Sequence, residues 1–159
     1  MTLIYETENF AVEAPEKPHI DRDDGGHIKI LPKVRVRNRW DLPPKLAVEV
    51  MRISCIVGAA MTRALNARGV DIGRVNFQDM GNWSVFSPEG PFFHMHVYGR
   101  AKSAKVQKYG EAVFLPKRED KPGFYRDFKP LTEEDCQAIR REIERLLREE
   151  KYQEKNWKI

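Results

Sequence analysis

Only two cysteines, Cys55 and Cys136, occur in the 159 residues, and they form no C-x-x-C pair. A disulfide framework and a cysteine-ligated metal centre are therefore excluded as organising features, and both thiols, placed on apolar faces of expected helices, read as buried. Long hydrophobic runs are missing too. No apolar stretch approaches the roughly 18 residues that a membrane-spanning helix requires. Internal repeats and low-complexity tracts are absent, which removes solenoid and linker architectures. The segment Met1–Asn9 carries Glu6 and Glu8 and shows no basic stretch followed by an apolar one, so the expectation is a cytoplasmic protein without a secretory leader.

What is present is an ordinary globular composition, 41% apolar and 33% charged, enough for one domain with its own core. The reading is a single domain over 1–159, with a core over about 10–130, a C-terminal helix over about 133–150 and a tail over 151–159. The net charge of +4 is unevenly spread: residues 1–24 hold seven acids against two bases, whereas 29–39 hold Lys29, Lys33, Arg35, Arg37 and Arg39 and no acid. A second basic stretch, Arg100, Lys102, Lys105 and Lys108, follows Gly99. Such clusters attract phosphate groups or serve as a solvated face.

Leu46, Val50, Ile53, Val57, Ala60 or Met61, and Ala64 recur at three-and-four spacing, which predicts a helix from about Pro43 to Arg68 with Gly69 at its exit. A second helix is expected after Thr132, where Thr132 and Asp135 have capping-box spacing, burying Cys136, Ile139, Ile143, Leu146 and Leu147. Strand patterns fall at Phe10–Glu13, His27–Leu31, Arg74–Gln78 and Phe92–Tyr98. This is an α+β pattern with antiparallel strands. The stretch Asp79–Pro91 reads as a surface loop that leads into the last strand, with Trp83 and Phe86 available as a lid, a stacking surface or core.

That strand carries Phe93-His94-Met95-His96-Val97-Tyr98. Alternation puts His94 and His96 on one face with Phe92 and Tyr98. The pair can be two ordinary surface histidines, two metal ligands, or a nucleophile and its partner at phosphorus. A metal needs a third ligand, yet the next acid after His96 is Glu111, and only His19 and His27 could complete an all-histidine set.

The alternation of apolar residues around His94 and His96, with Val97-Tyr98 and then Gly99-Arg100 behind them, resembles the signature of the histidine triad superfamily. In that register His94 and His96 match the second and third histidines and Phe92 stands at the first. The resemblance extends to Gly26-His27-Ile28-Lys29-Ile30-Leu31-Pro32-Lys33, to Trp40-Asp41-Leu42 at the helix entry, and to Phe77-Gln78-Asp79 before the loop.

This resemblance implies a sheet of about five antiparallel strands with one long central helix and a C-terminal helix, a homodimer, and a nucleotide or nucleoside polyphosphate bound at its α-phosphate. It implies a hydrolase or nucleotidyl transferase for dinucleoside polyphosphates or nucleoside phosphoramidates, with His94 as nucleophile and His96 holding the phosphate or the leaving group. Gln78, Ser87, Glu89, Gly90, Arg100 and His19 are the substrate-binding candidates, with Lys102 beside Arg100 toward a polyphosphate. No cofactor is required by this mechanism, although a divalent cation could accompany the substrate. The chain departs from the family pattern in Phe92, in Pro88-Glu89 where a Gly-Gln is usual, and in Arg35 where many members carry a histidine. These departures keep open a nucleotide-binding module with weak or no catalysis. A third reading is a single-stranded nucleic acid binder, using the basic clusters and exposed aromatics.

Overall fold

A computed structural model describes residues 1–159. Its five strands are β1 (Thr2–Glu6), β2 (Phe10–Ala14), β3 (His27–Pro32), β4 (Ile72–Asp79) and β5 (Met95–Ala101), ordered β1-β2-β3-β5-β4, with every pairing antiparallel. The helices are α1 (Pro44–Ala67), α2 (Glu133–Leu147) and a final turn α3 (Glu154–Trp157). The expected α+β fold is present. No helix is long and apolar enough to cross a membrane.

The helices follow the sequence pattern closely. Pro43 and Pro44 start α1, where missing N–H groups cost nothing, and Gly69 leaves it in a left-handed conformation. Val50, Ile53, Val57, Ala60, Met61 and Ala64 form its buried stripe against the sheet. At the start of α2 the Thr132 hydroxyl accepts from the Asp135 N–H while the Asp135 carboxylate accepts from the Thr132 N–H, the expected capping box. Both helices cover one face of the sheet, supplying a single core with Ile28, Ile30, Met95 and Val97.

Three expectations are corrected. Strand β1 precedes the first expected strand; its burial is confined largely to Ile4, so the period-two signal is weak. The last strand starts at Met95 rather than Phe92, because β4 ends opposite it at Asp79 and the Phe93 N–H bonds to the Val36 carbonyl, away from the ladder. Cys136 is buried as expected, but Cys55 is exposed. Two positions beyond Ile53, it is turned by about 200° around the helix, onto the side away from the core.

The opposite face of the sheet is partly covered by the irregular segment 102–131. Two polar anchors hold it there. The buried Asp24 carboxylate accepts from the main-chain N–H groups of Lys105, Val106 and Gln107 at 2.7–2.9 Å. The guanidinium of Arg100 donates to the carbonyls of Lys108 and Glu111 and to Asn76 Oδ1. A close main-chain approach brings the β2–β3 loop onto β5: a Cβ at Gly99 would collide with the Gly25 carbonyl, and Gly25 itself has φ +130°. In the tail, Tyr152 is buried and its carbonyl accepts from Arg52 Nε at 2.6 Å.

Candidate functional site

That second face is polar by register. His96 on β5 lies opposite Lys29 of β3 and Gln78 of β4, and Tyr98 lies opposite His27. Opposite residues share a face, so β3, β4 and β5 bring their polar side chains to one surface while the alternate residues feed the core.

Main-chain groups set the tautomers of His27 and His94, and His27 in turn sets that of His96. The His19 N–H donates to His27 Nδ1 at 3.1 Å, so that nitrogen presents a lone pair and the proton of the neutral ring sits on Nε2. His27 Nε2 is 2.9 Å from His96 Nδ1 and donates to it. The proton of His96 therefore sits on its own Nε2. His94 has the reverse tautomer: its Nδ1 is 3.1 Å from the Phe92 carbonyl oxygen, which can only accept, so Nδ1 carries the proton and Nε2 the free lone pair.

Burial keeps these rings neutral. It pushes His96 down to about 2 and His19 down to about 4, and holds His27 well below the usual imidazole range, with neighbouring histidines adding to the effect. His94 is lowered by burial as well, opposed by its bond to the Phe92 carbonyl. The site thus pairs one available imidazole lone pair, on His94, with one imidazole N–H donor, on His96, their ring centroids 4.6 Å apart.

His19, His27 and His96 offer nitrogen atoms within 4.8 Å of one another, the all-histidine set the sequence allowed. In this arrangement both His27 nitrogens are already engaged, one as acceptor and one as donor. The cluster is a hydrogen-bond relay, roofed by Trp83, whose ring lies 5.4 Å from that of His19, and closed by the Tyr98 hydroxyl at 2.8 Å from His19 Nδ1.

A cavity of about 450 Å³ opens over the relay, with His19, Lys29, Trp83, Ser87, His94 and His96 in its walls. A second, of about 600 Å³, lies on the other side of His94 and is lined by Arg37, Arg39, Trp40 and Phe92 among others.

No family model and no curated protein matches the chain in sequence. Solved structures do match it in shape. A histidine triad protein from Marinobacter aquaeolei VT8 gives a TM-score of 0.60 at 16% identity, covering 91% of this chain and 87% of that one. A hypothetical histidine triad nucleotide-binding protein from Sulfolobus tokodaii gives 0.58 at 19% identity, covering 92% and 85%. A Zn-bound histidine triad family protein from Mycobacterium smegmatis gives 0.53 at 20% identity, covering 91% and 84%.

The chain has the histidine triad fold. Of the residues expected to act on substrate in that fold, His94, His96, His19 and Ser87 meet at the first cavity. The others are placed elsewhere. Gln78 sits opposite His96 but lines a separate cavity with Arg100, and its Oε1 is buried without a partner. Glu89 and Gly90 line neither cavity beside His94; the Glu89 carbonyl accepts from Arg35 at 3.0 Å. Arg100, expected as a polyphosphate contact, is only 5% exposed and is occupied by main-chain carbonyls of the covering segment. Lys102 is exposed but lines neither of the His94 cavities. Trp83 and Phe86 are not core: Phe86 is 91% exposed.

The sequence offers His27 only as a possible metal ligand and Lys29 only as one charge in a basic run; their alternation on β3, matched to His96 and Tyr98 on β5, is the signal that puts both beside the site.

Proposed function

We propose that the chain is a nucleotide-binding hydrolase or nucleotidyl transferase that forms a transient nucleotidyl adduct on His94. The observation that carries this reading is the pair of opposite tautomers: His94 presents Nε2 as a lone pair because the Phe92 carbonyl holds its Nδ1–H, and His96 presents Nε2–H because His27 donates to its Nδ1. A neutral imidazole attacks phosphorus without a separate base. The neighbouring N–H stabilises the negative charge that builds on the phosphoryl oxygens, and Lys29 adds a positive charge in the same cavity.

In the first step Nε2 of His94 forms a bond to the α-phosphorus, and the bond from phosphorus to the leaving group breaks with its electron pair. The resulting imidazolium keeps its Nδ1–H on the Phe92 carbonyl. In the second step a water or another hydroxyl attacks phosphorus, the P–N bond breaks, Nε2 regains its pair, and the proton of the attacking group leaves to solvent.

Mass spectrometry of the protein quenched during turnover of a dinucleoside polyphosphate tests the reading. The expected result is a gain of one nucleotidyl group on His94, absent from His94→Ala. Nucleotide binding without any adduct would favour the non-catalytic module that Phe92 had left open. The homodimer is a proposal of the same rank: β4 is an edge strand, and Val48, Met51 and Phe77 beside it are exposed, a surface suited to a second copy of the chain. Sedimentation of the whole chain measures it.

A further inference from the structure

His94 is a wall common to two cavities, and each of them holds one exposed indole and at least one cation. On the side of the relay these are Trp83 and Lys29. On the far side they are Trp40, which is 81% exposed, and the arginines at 37 and 39. The far set arises from local geometry. After β3 the chain bends twice and enters a 3-10 turn at Arg39–Asp41, and the Phe93 N–H bond to the Val36 carbonyl ties this segment beside the stretch that carries His94, with Arg37, Arg39 and Trp40 in the cavity wall.

Their charges are not equivalent. Arg39 is paired with Asp79 at 2.8 Å, which neutralises the one acid in the cavity wall. Arg35 bonds the Glu89 carbonyl and lies 5.2 Å over the Phe92 ring. Arg37 is exposed and takes part in none of the ion pairs. The cavity therefore offers an uncompensated guanidinium next to an open aromatic face, beside the atom proposed to attack phosphorus.

We infer that this second cavity is the leaving-group subsite, and that it selects a leaving group carried on a phosphate chain, with the chain against Arg37 and an aromatic head on Trp40. The inference rests on the proposed role of His94. It deepens that role by separating two substrate classes: a nucleotide joined through oxygen to further phosphates, and one joined through nitrogen to an uncharged amine. Guanidinium groups recognise phosphate oxygens in a fork geometry, and an indole face accepts any aromatic base. The chemistry of departure agrees. A phosphate leaves as an anion and needs no proton, so when the P–O bond breaks the oxygen simply keeps the pair. An amine must be protonated as the P–N bond breaks, and the neutral His96 ring donates a hydrogen bond but is a poor source of a proton.

The test compares kcat/KM for diadenosine tetraphosphate with kcat/KM for adenosine 5′-phosphoramidate, in the wild-type chain and in Arg37→Ala and Trp40→Ala. Both side chains are exposed, and circular dichroism with thermal unfolding checks that the variants fold. The ratio of the two values is expected to fall at least tenfold in Arg37→Ala and several-fold in Trp40→Ala. Calorimetric titration with inorganic tripolyphosphate supplies a readout independent of turnover, with binding expected to weaken at least tenfold in Arg37→Ala. An unchanged ratio together with unchanged tripolyphosphate binding overturns the inference even if the wild-type chain turns over both substrates. A wild-type chain that turns over neither substrate overturns the proposed role of His94 instead; the titration then decides whether Arg37 makes the cavity a polyphosphate site.

Discussion

His94 donates its Nδ1–H to the main-chain carbonyl of Phe92, two residues before it, at 3.1 Å. The residue at the first position of the motif therefore orients His94, the proposed nucleophile, through its backbone. A main-chain carbonyl is supplied by any residue type, so a phenylalanine there leaves the tautomer of His94 intact. The Phe92 ring adds packing, with its centroid 5.0 Å from that of His94.

Phe92→Ala is accordingly expected to retain adduct formation on His94, with a rate loss below about tenfold, because it removes packing and not the orienting bond. Single-turnover measurement of the adduct checks this. A loss as large as that of His94→Ala would show that the ring, and not the carbonyl, does the positioning.

His27 acts on His96 from 69 positions away. Replacing it by alanine frees the tautomer of His96 and leaves its Nδ1 unpaired; if His96 acts as proposed, kcat is expected to fall on the order of 10–100-fold, the range seen when groups that orient a metal-ligating histidine are removed. His27→Gln can place an amide N–H near the former Nε2 and is expected to recover part of the loss. Equal losses in the two variants would reduce His27 to a packing residue.

Stability should depend on pH below the normal imidazole range. The rings of His27 and His96 have folded pKa values depressed below the unfolded value of 6.5 by burial. At neutral pH both states are unprotonated there and nothing is lost. As pH falls below about 6.5 the unfolded chain takes up protons that the folded chain refuses, so stability drops, by as much as ~1.4 kcal/mol per pH unit for each ring. Urea unfolding between pH 7 and pH 4 measures the slope, which should be shallower in His96→Asn.

Asp135 joins three elements. Its carboxylate is fully buried, caps α2, and pairs with Arg22 of the β2–β3 loop and with Arg68 just after α1. The arginine partners hold its carboxyl well below the usual carboxylate range against the opposing effect of burial. Asp135→Ala removes the carboxylate half of the capping box and strands two guanidinium groups, at an expected cost of about 3 kcal/mol in denaturant unfolding. A change under about 1 kcal/mol would mean that solvent replaces the carboxylate.

Much of the fold was legible because it follows short-range periodicity. The stripe of α1 and the Thr132–Asp135 box follow from the 3.6-residue repeat, and His94 and His96 lie on one side because the chain keeps its two-residue alternation just ahead of β5. Local pattern also misled where a boundary depended on a distant partner: β5 begins at Met95 because β4 ends at Asp79, and nothing in Phe92-Phe93-His94 records that. The N-terminal edge strand, with one dominant buried side chain, gave periodicity little to detect.

The sequence by itself determined that two histidines, one at the start of β5 and one just before it, turn to the same side inside an α+β domain without cysteine staples. Tertiary structure decided what the groups around them do. Arg100 follows the same strand and looks from sequence like a phosphate ligand, yet it meets the carbonyls of a segment folding back over it and becomes an anchor. Arg37, anonymous in a basic run, is left unpaired beside His94. Which nitrogen of each imidazole holds its proton was set by a carbonyl two residues away for His94, and by groups brought across 69 positions for His96. Hydrogen bonding is directional and short-ranged, so the role of a polar side chain is fixed by the partners that folding brings within about 3 Å, and residue spacing along the chain does not encode them.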